Sequence, residues 1–481
     1  MPSGGPTIRR RNSGRPHCRG PADARPAPTR YPRVVHRCVP ASTTLRRARG
    51  NGRQHRLARL LLVIGAAGTL AGCAGGPVAD VPASHAPRVQ AAGAGTALRG
   101  ATRAGVSPTP SRLVPQAPGT TVSVFLNATV RARLSAELLR LRAAHHLPGI
   151  QAVVRLPDGE AWIAHAGYAD VATHAAVSTT TLFDAGSITK TFIATLTLKL
   201  ADQGVLALDD PVTRWLPAFT AGRGVTIREL LDHTSGIGEP FNSPALLARL
   251  GSAPARAWSP AAVLRYANSP RFTPGHGWLY SNANYLLLGQ VIQAATGASV
   301  PALLQKQLLG PLGLDHTFLQ GPLPPPASEA NAHGYDATTD AVWPAIDLSR
   351  GSAFEPFRSL ATALGTAGAL VTTADDLSRW AEALYGGHVL PAPTLARMLD
   401  FGLTIGLRPR WPYGLGVQRV TLLRQVAWGH SGLLSGFHAA MRYFPATGAT
   451  IVVLTNADAT NPDTLASGLL GALGPLPSAS R

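Results

Sequence analysis

Ser187 and Lys190 stand three residues apart in the run Ser-Ile-Thr-Lys, in a chain with 41 arginines and only three lysines, Lys190, Lys199 and Lys306. A guanidinium keeps its proton in a protein, whereas an ammonium taken out of water can become a neutral base. A chain that writes nearly every cation as Arg has kept Lys one helical turn after a serine, where a serine nucleophile needs a base. The pair follows Asp184-Ala185-Gly186 at the start of a helical pattern. Free N–H groups and the helix dipole there favour negative charge and disfavour an ammonium. At i, i+3 the two side chains share a face. The chemistry on offer is acyl transfer, with serine attacking a carbonyl and lysine taking its proton. Read alone, the same four residues also describe an exposed helix lysine beside a capping serine.

Two further triplets carry polar groups of the kind such a reaction uses. Tyr280-Ser281-Asn282 follows the Pro274-Gly275 turn. A tyrosine beside a lysine can relay a proton, because a nearby positive charge lowers its pKa of about 10. An asparagine amide can donate to a substrate carbonyl and accept from Lys190. The plainer explanation is a packing tyrosine followed by a helix-capping pair. His430-Ser431-Gly432 is the third element; its glycine would let a substrate backbone approach a strand edge, and its histidine read alone is a structural residue.

The elements that must position these groups are legible as periodic patterns. Leu134–His146 is predicted as a helix with Leu138, Leu139 and Leu141 on or near one face, stopping at Pro148-Gly149. Ile150–Leu156 and Ala161–Ala166 read as strands joined by the Asp158-Gly159 hairpin signal. Residues 188–203 form the helix carrying Lys190, with Phe192, Leu196 and Leu200 four apart and Gly204 ending it. Residues 205–400 read as mostly helical, broken by loops such as Pro322–Pro326, and include a helical run from Asn284 to Ala295. From Tyr413 onward, Gly414–Val420, Gln425–Trp428, Phe437–Tyr443 and Thr450–Leu454 read as antiparallel strands, with the His430 triplet between two of them, and Asp463–Leu473 as a closing helix. Strands at both ends with helices between predict one α/β (α+β) domain over residues 122–475. Its antiparallel sheet draws on both termini and is interrupted by a helical insertion.

In this order the three elements resemble the serine β-lactamase and penicillin-binding family, within it the class C β-lactamase and D-alanyl-D-alanine carboxypeptidase branch. Leu206–Pro211, Ile227–Ile237 with its His233-Thr234-Ser235-Gly236, Pro274–Gly289 and Tyr413-Gly414-Leu415-Gly416 resemble it too, so the likeness spans roughly residues 130–475. The resemblance implies a β-lactamase/transpeptidase-like fold, with the sheet flanked by the N- and C-terminal helices. Ser187 would be the acylated nucleophile and Lys190 its base or proton relay. Tyr280 would activate the serine or protonate the leaving group, and Asn282 would orient the substrate amide. The N–H groups of Ser187 and Leu433 would form the oxyanion hole, worth about 3 kcal/mol per donor. Ser431 would contact a substrate carboxylate or relay protons, and Gly432 would let the substrate backbone approach the strand edge. Efficient β-lactamases of this branch carry Lys where this chain has His430, and His is mostly neutral above a pH of about 6.5. Activity on carboxylate substrates is therefore expected to fall as pH rises through the His430 pKa. The implied substrates are D-Ala-D-Ala-type peptides, β-lactams or esters, with no cofactor; a non-catalytic penicillin-binding sensor is the alternative.

The net charge of +19 resembles a nucleic-acid signal until the chain is divided. Residues 1–72 hold 15 arginines and one acid, a net +14, which leaves +5 for the rest, so no nucleic-acid partner is expected. Residues 1–50 are rich in Arg, Pro and Gly without apolar periodicity and are expected to stay unfolded, with translation starting further downstream. Arg53, Arg56 and Arg59 precede the apolar run Leu60–Thr69, shorter than the roughly 20 residues of a membrane span, and small residues follow. Residues 51–73 thus read as an export signal. Its Leu70-Ala71-Gly72-Cys73 ending resembles the bacterial lipoprotein signal, in which Cys73 is lipidated; an ordinary cleaved signal and an uncleaved anchor are the alternatives. Residues 74–121 read as a flexible tether. The expected protein is a membrane-tethered single domain acting as a monomer on the far side of the membrane, facing the periplasm or the cell exterior. Cys18 and Cys38 lie in the leader, so the domain itself has no cysteine for disulfides or thiolate metal sites. Adjacent His145 and His146 cannot share a helix face, no His-Glu-x-x-His run exists, and no metal is expected. Gly429–Leu433 lacks the second glycine of a Gly-x-Ser-x-Gly elbow, which excludes an α/β-hydrolase.

Overall fold

The computed structural model describes residues 126–474 apart from 268–269, 337–345, 406–411 and 459. The expected leader, signal with Cys73, and tether lie outside the described residues. Helix α1 (Ala128–Ala144) starts earlier than its leucine spacing predicts, because the Asn127 side chain accepts the Val130 N–H and caps it. Val130, Leu134, Leu138 and Leu141 are buried, whereas Leu139, expected near the same face, is 57 % exposed. One residue beyond Leu138 turns a side chain by about 100°, enough to leave the stripe. Strands β1 (Gly149–Arg155) and β2 (Ala161–Asp170) form the expected hairpin, with Gly159 at φ +86 in its turn.

Strand β3 (Ala175–Ala176) follows β2, and four strands come from the far end of the chain: β4 (Gln418–Leu422), β5 (Gln425–Leu434), β6 (Phe437–Phe444) and β7 (Ala449–Thr455). The antiparallel sheet has the order β3-β2-β1-β7-β6-β5-β4. Its two halves join where Ile150 pairs with Thr455 and Arg155 with Thr450. Alternate side chains serve two cores. Ile150, Ala152, Val154, Ile451 and Val453 pack with α1 and the closing helix α5 (Pro462–Leu473), while Val153, Val452 and Leu454 join the core on the other side. Burial on both faces explains why β7 reads as an unbroken apolar run rather than an alternating one.

The second core is supplied by the insertion. Helix α2 (Thr189–Asp202) is buried on nearly every side, and α3 (Asn282–Thr296) packs against it. Helix α4 (Ala374–Tyr385) lies on β1, β6 and β7, and its Trp380 stacks on Phe192 of α2 with ring centroids 4.1 Å apart. The insertion is not purely helical, since residues 183–184, 370–372 and 318–319 form a small sheet, and 335–336 pair with 346–347. Runs of two or three residues carry too little periodicity to be seen in sequence. Among the described residues no single helix is long and apolar enough to cross a membrane.

Candidate active site

Ser187 sits in a tight turn, residues 186–188, immediately before α2. Gly186 takes φ +52 and donates its N–H to the buried Asp184 carboxyl at 2.6 Å. A Cβ on Gly186 would lie 3.0 Å from the Leu433 nitrogen, and one on Gly432 would lie 2.0 Å from the Ala185 carbonyl oxygen. Two glycines therefore let strand β5 run against the serine turn, bringing the Leu433 backbone beside it.

Lys190, in the first turn of α2, is 0 % exposed. Its Nζ lies 2.9 Å from Ser187 Oγ, 2.8 Å from Asn282 Oδ1 and 2.7 Å from the Ala367 carbonyl oxygen. Burial lowers its pKa to about 7, with the charge of Glu239 pulling the other way. Lysine is thus close to half neutral at neutral pH, against a serine that can give it a proton. Tyr280 is half-buried; its hydroxyl is hydrogen-bonded to Ser187 and its ring centre lies 4.8 Å from Lys190 Nζ. Burial pushes the Tyr280 pKa up, and Glu239 adds to the effect. The expectation that Lys190 lowers it is overturned: desolvation outweighs a lysine whose own charge is weakened by burial. Tyr280 is therefore a neutral hydroxyl that can donate or relay. Asn282 begins α3, capped by Ser281, whose Oγ accepts the Ala283 N–H and donates to the Gly238 carbonyl.

His430 does not occupy a turn between strands. It lies inside the continuous strand β5, where Gly432 still pairs with Ala439. It is 1 % exposed, and burial together with the charges of Lys190 and Arg442 holds its pKa well below the ordinary histidine value. Its Nδ1 donates to the Ser431 carbonyl at 2.7 Å, which leaves Nε2 to accept from the Tyr413 hydroxyl at 3.0 Å. A histidine so held is neutral throughout the neutral range. The expected fall of activity through its titration is thereby overturned, because no charge is there to lose. Ser431 pairs with Ala440 and so points toward the terminal-helix side of the sheet. Its hydroxyl is engaged by Gln418 and by the Arg442 guanidinium. A role toward substrate requires it to leave these partners.

Serine, deprotonable lysine, neutral tyrosine and an amide thus converge on one point from a turn, two helices and a loop. The sequence profile of the family described as Beta-lactamase matches residues 127–473. The chain belongs to the Beta-lactamase family. It is 29% identical over 348 residues to "Penicillin-binding protein 4" of Amycolatopsis lactamdurans, covering 66% of this chain and 82% of that one. It is 35% identical over 200 residues to "Esterase EstB" of Burkholderia gladioli, covering 39% and 51%. Among solved structures, a D-stereospecific amidohydrolase from Streptomyces sp. superposes with a TM-score of 0.56 at 28% identity, over 70% of this chain and 96% of that one. This Beta-lactamase-family chain is a serine hydrolase of amide or ester bonds with the β-lactamase/transpeptidase-like fold.

Three residues around the site had no role assigned to them from the sequence, although His233 and Tyr413 stand in motifs quoted above. His233, at φ +66, accepts the Ser281 N–H on Nδ1 at 3.2 Å and packs its ring 4.3 Å from that of Tyr280. Tyr413 holds His430, and Glu239 holds Asn282. The one available signal for Glu239 was an acid isolated in the uncharged run Gly236–Phe241. As for metals, Asp170, His333 and Asp347 are one group among the described residues with ligand-type atoms within 4.8 Å of one another. There His333 Nδ1 is 3.1 Å from Asp347, and Asp170 is engaged by Ala172 and Thr173, so each side chain is satisfied as an ion-pair group.

Proposed function

We propose that the chain is an exported serine amidohydrolase that works through a Ser187 acyl-enzyme on D-configured peptide amides of the D-Ala-D-Ala type. The observation that carries this reading is Lys190 Nζ at 2.9 Å from Ser187 Oγ, buried, and bonded otherwise to two uncharged oxygens. Neutral Lys190 takes the Ser187 proton as Oγ bonds to the substrate carbonyl carbon. The N–H groups of Ser187 and Leu433 receive the oxyanion. Tyr280, raised in pKa and bonded to Ser187, gives its proton to the departing nitrogen as the carbon–nitrogen bond breaks and recovers one from protonated Lys190, which leaves both neutral and the lysine free to take the proton of the attacking water. Asn282 orients the substrate amide, His430 and Gly432 shape the strand edge, and water then releases the acid and restores Ser187. The D-stereospecific amidohydrolase and the penicillin-binding relative support the substrate class. A second reading, a short-chain esterase, is favoured by the neutral His430, which offers no cation to a substrate carboxylate, and by the esterase relative.

The test incubates the domain with fluorescent penicillin, a chromogenic cephalosporin, a short-chain nitrophenyl ester and a D-Ala-D-Ala peptide, with Ser187→Ala as control. Release of D-Ala, abolished in Ser187→Ala, supports the first reading, and turnover of the ester alone supports the second. Penicillin labelling without turnover favours a sensor, and absence of labelling and turnover removes the enzyme site. Cys73 is proposed as the lipidated anchor, acting on a monomer. Cys73→Ser should shift the protein from the membrane to the soluble fraction and abolish fatty-acid labelling; unchanged membrane retention rules the anchor out.

A further inference from the structure

We propose that Glu239 is a positioning residue that dictates which way round the Asn282 amide points, and so keeps an oxygen rather than an NH2 group against Lys190. The inference rests on the reading of Ser187, Lys190 and Asn282 given above. Glu239 is a buried carboxylate just ahead of the turn 240–242. One of its oxygens accepts the Asn282 backbone N–H, and the other accepts the Asn282 Nδ2–H at 3.3 Å and the Phe241 N–H at 3.0 Å. An asparagine amide has two ends of nearly equal shape, and only its neighbours decide between them. Burial raises the Glu239 pKa, opposed by these N–H bonds and by the charge of Lys190; with both of its oxygens already accepting N–H groups, the end of the amide that faces it must be NH2. The opposite end, Oδ1, then meets Lys190 Nζ at 2.8 Å.

Turned the other way, Asn282 would set donor against donor at a lysine that must give and take one proton. The clamp also grips main chain and side chain of the same residue, which fixes Asn282 at the start of α3 as well as its rotation. Glu239 holds Asn282 without bonding to Lys190, so its charge reaches the lysine across the amide and favours the ammonium. The other ionisable groups around Lys190 are Tyr280 and Tyr285, whose ring centres lie 4.8 and 5.5 Å from Nζ, and the buried imidazoles His233 and His430. All four are uncharged in the neutral range, which leaves Glu239, among the described residues, as the acid whose charge acts on the lysine.

The experiment compares Glu239→Gln with the wild-type chain on whichever of the four probes above the wild type turns over. A glutamine presents one acceptor where the carboxylate presents two, so Asn282 loses either its backbone or its side-chain partner. The expected result is a fall in kcat/KM of about 10- to 100-fold, with the low-pH limb of the profile displaced toward acid because the anion favouring the ammonium is gone. In an Asn282→Ala background, Glu239→Gln should cost less than threefold in kcat/KM, as a residue acting through Asn282 must. If Glu239→Gln does not fold, Glu239→Asp, too short to span both N–H groups but still charged, should lower the rate and leave the limb in place. Wild-type rate and limb in Glu239→Gln, or an undiminished penalty in the Asn282→Ala background, overturn the inference while an inactive Ser187→Ala keeps the site. An active Ser187→Ala overturns the site itself.

Discussion

Lys190 in α2 and Arg442 in β6 are both 0 % exposed, the first beside the serine turn and the second against the closing helix α5. Arg442 is surrounded as a permanent charge demands. It is ion-paired with Asp463 at 2.8 Å and bonded to Ser431 and Gln418. Lys190 has no carboxylate at ion-pair distance among the described residues, only a hydroxyl, an amide oxygen and a carbonyl. A buried charge without a partner costs several kcal/mol, so a group in Lys190's surroundings is stable only if it can shed its proton. The same depth of burial therefore makes one cation structural and the other a base.

Exchanging the chemistry of the two sites tests that contrast. Lys190→Arg places an undischargeable cation among neutral acceptors; turnover should fall roughly a thousandfold. Retention of more than a tenth of the activity would break the comparison. Arg442→Met should instead lower unfolding free energy by about 3 kcal/mol, read in a denaturant titration, because Asp463 loses its partner. Activity per folded molecule should survive within tenfold, and a loss as deep as that of Lys190→Arg would make Arg442 part of the chemistry. In the wild type, kcat/KM should rise with pH through about 7, since only the deprotonated lysine takes the serine proton and its pKa is lowered to about 7. A profile falling through this range would contradict the assignment. The smallest effect is reserved for His430→Gln, which should leave that limb in place because the imidazole it replaces is already neutral. A displaced limb would mean His430 carries charge after all.

What could be read in advance followed from how local each signal is. Ser187 and Lys190 share one turn of chain, and the strands and helices beside them announce themselves by period, so that pair and the sheet built from both termini were legible, while the gathering of Tyr280 and Asn282 with them was implied only by the family resemblance. The charge state of each group was not. His430 was expected to titrate near neutrality and Tyr280 to be lowered, yet both expectations failed for the same reason, desolvation, which depends on neighbours such as Tyr413 and Glu239 far away in sequence. Glu239 acquires meaning only by touching Asn282, 43 residues away. Continuity of β5 through Gly429 and Gly432 was likewise hidden, since glycines that mark turns in sequence here permit backbone contact with Met441 and Ala185.

The central strand pair has a consequence for the order of synthesis. Strand β1 cannot find its partner β7 until roughly 300 further residues have been made, and pairing so distant is slow to nucleate. The serine turn and its lysine are translated well before β5, the strand that must close against them. A nascent chain lacking its last three strands should then hold Ser187 without the Leu433 backbone, keeping the hydrolase silent until β5 has been made.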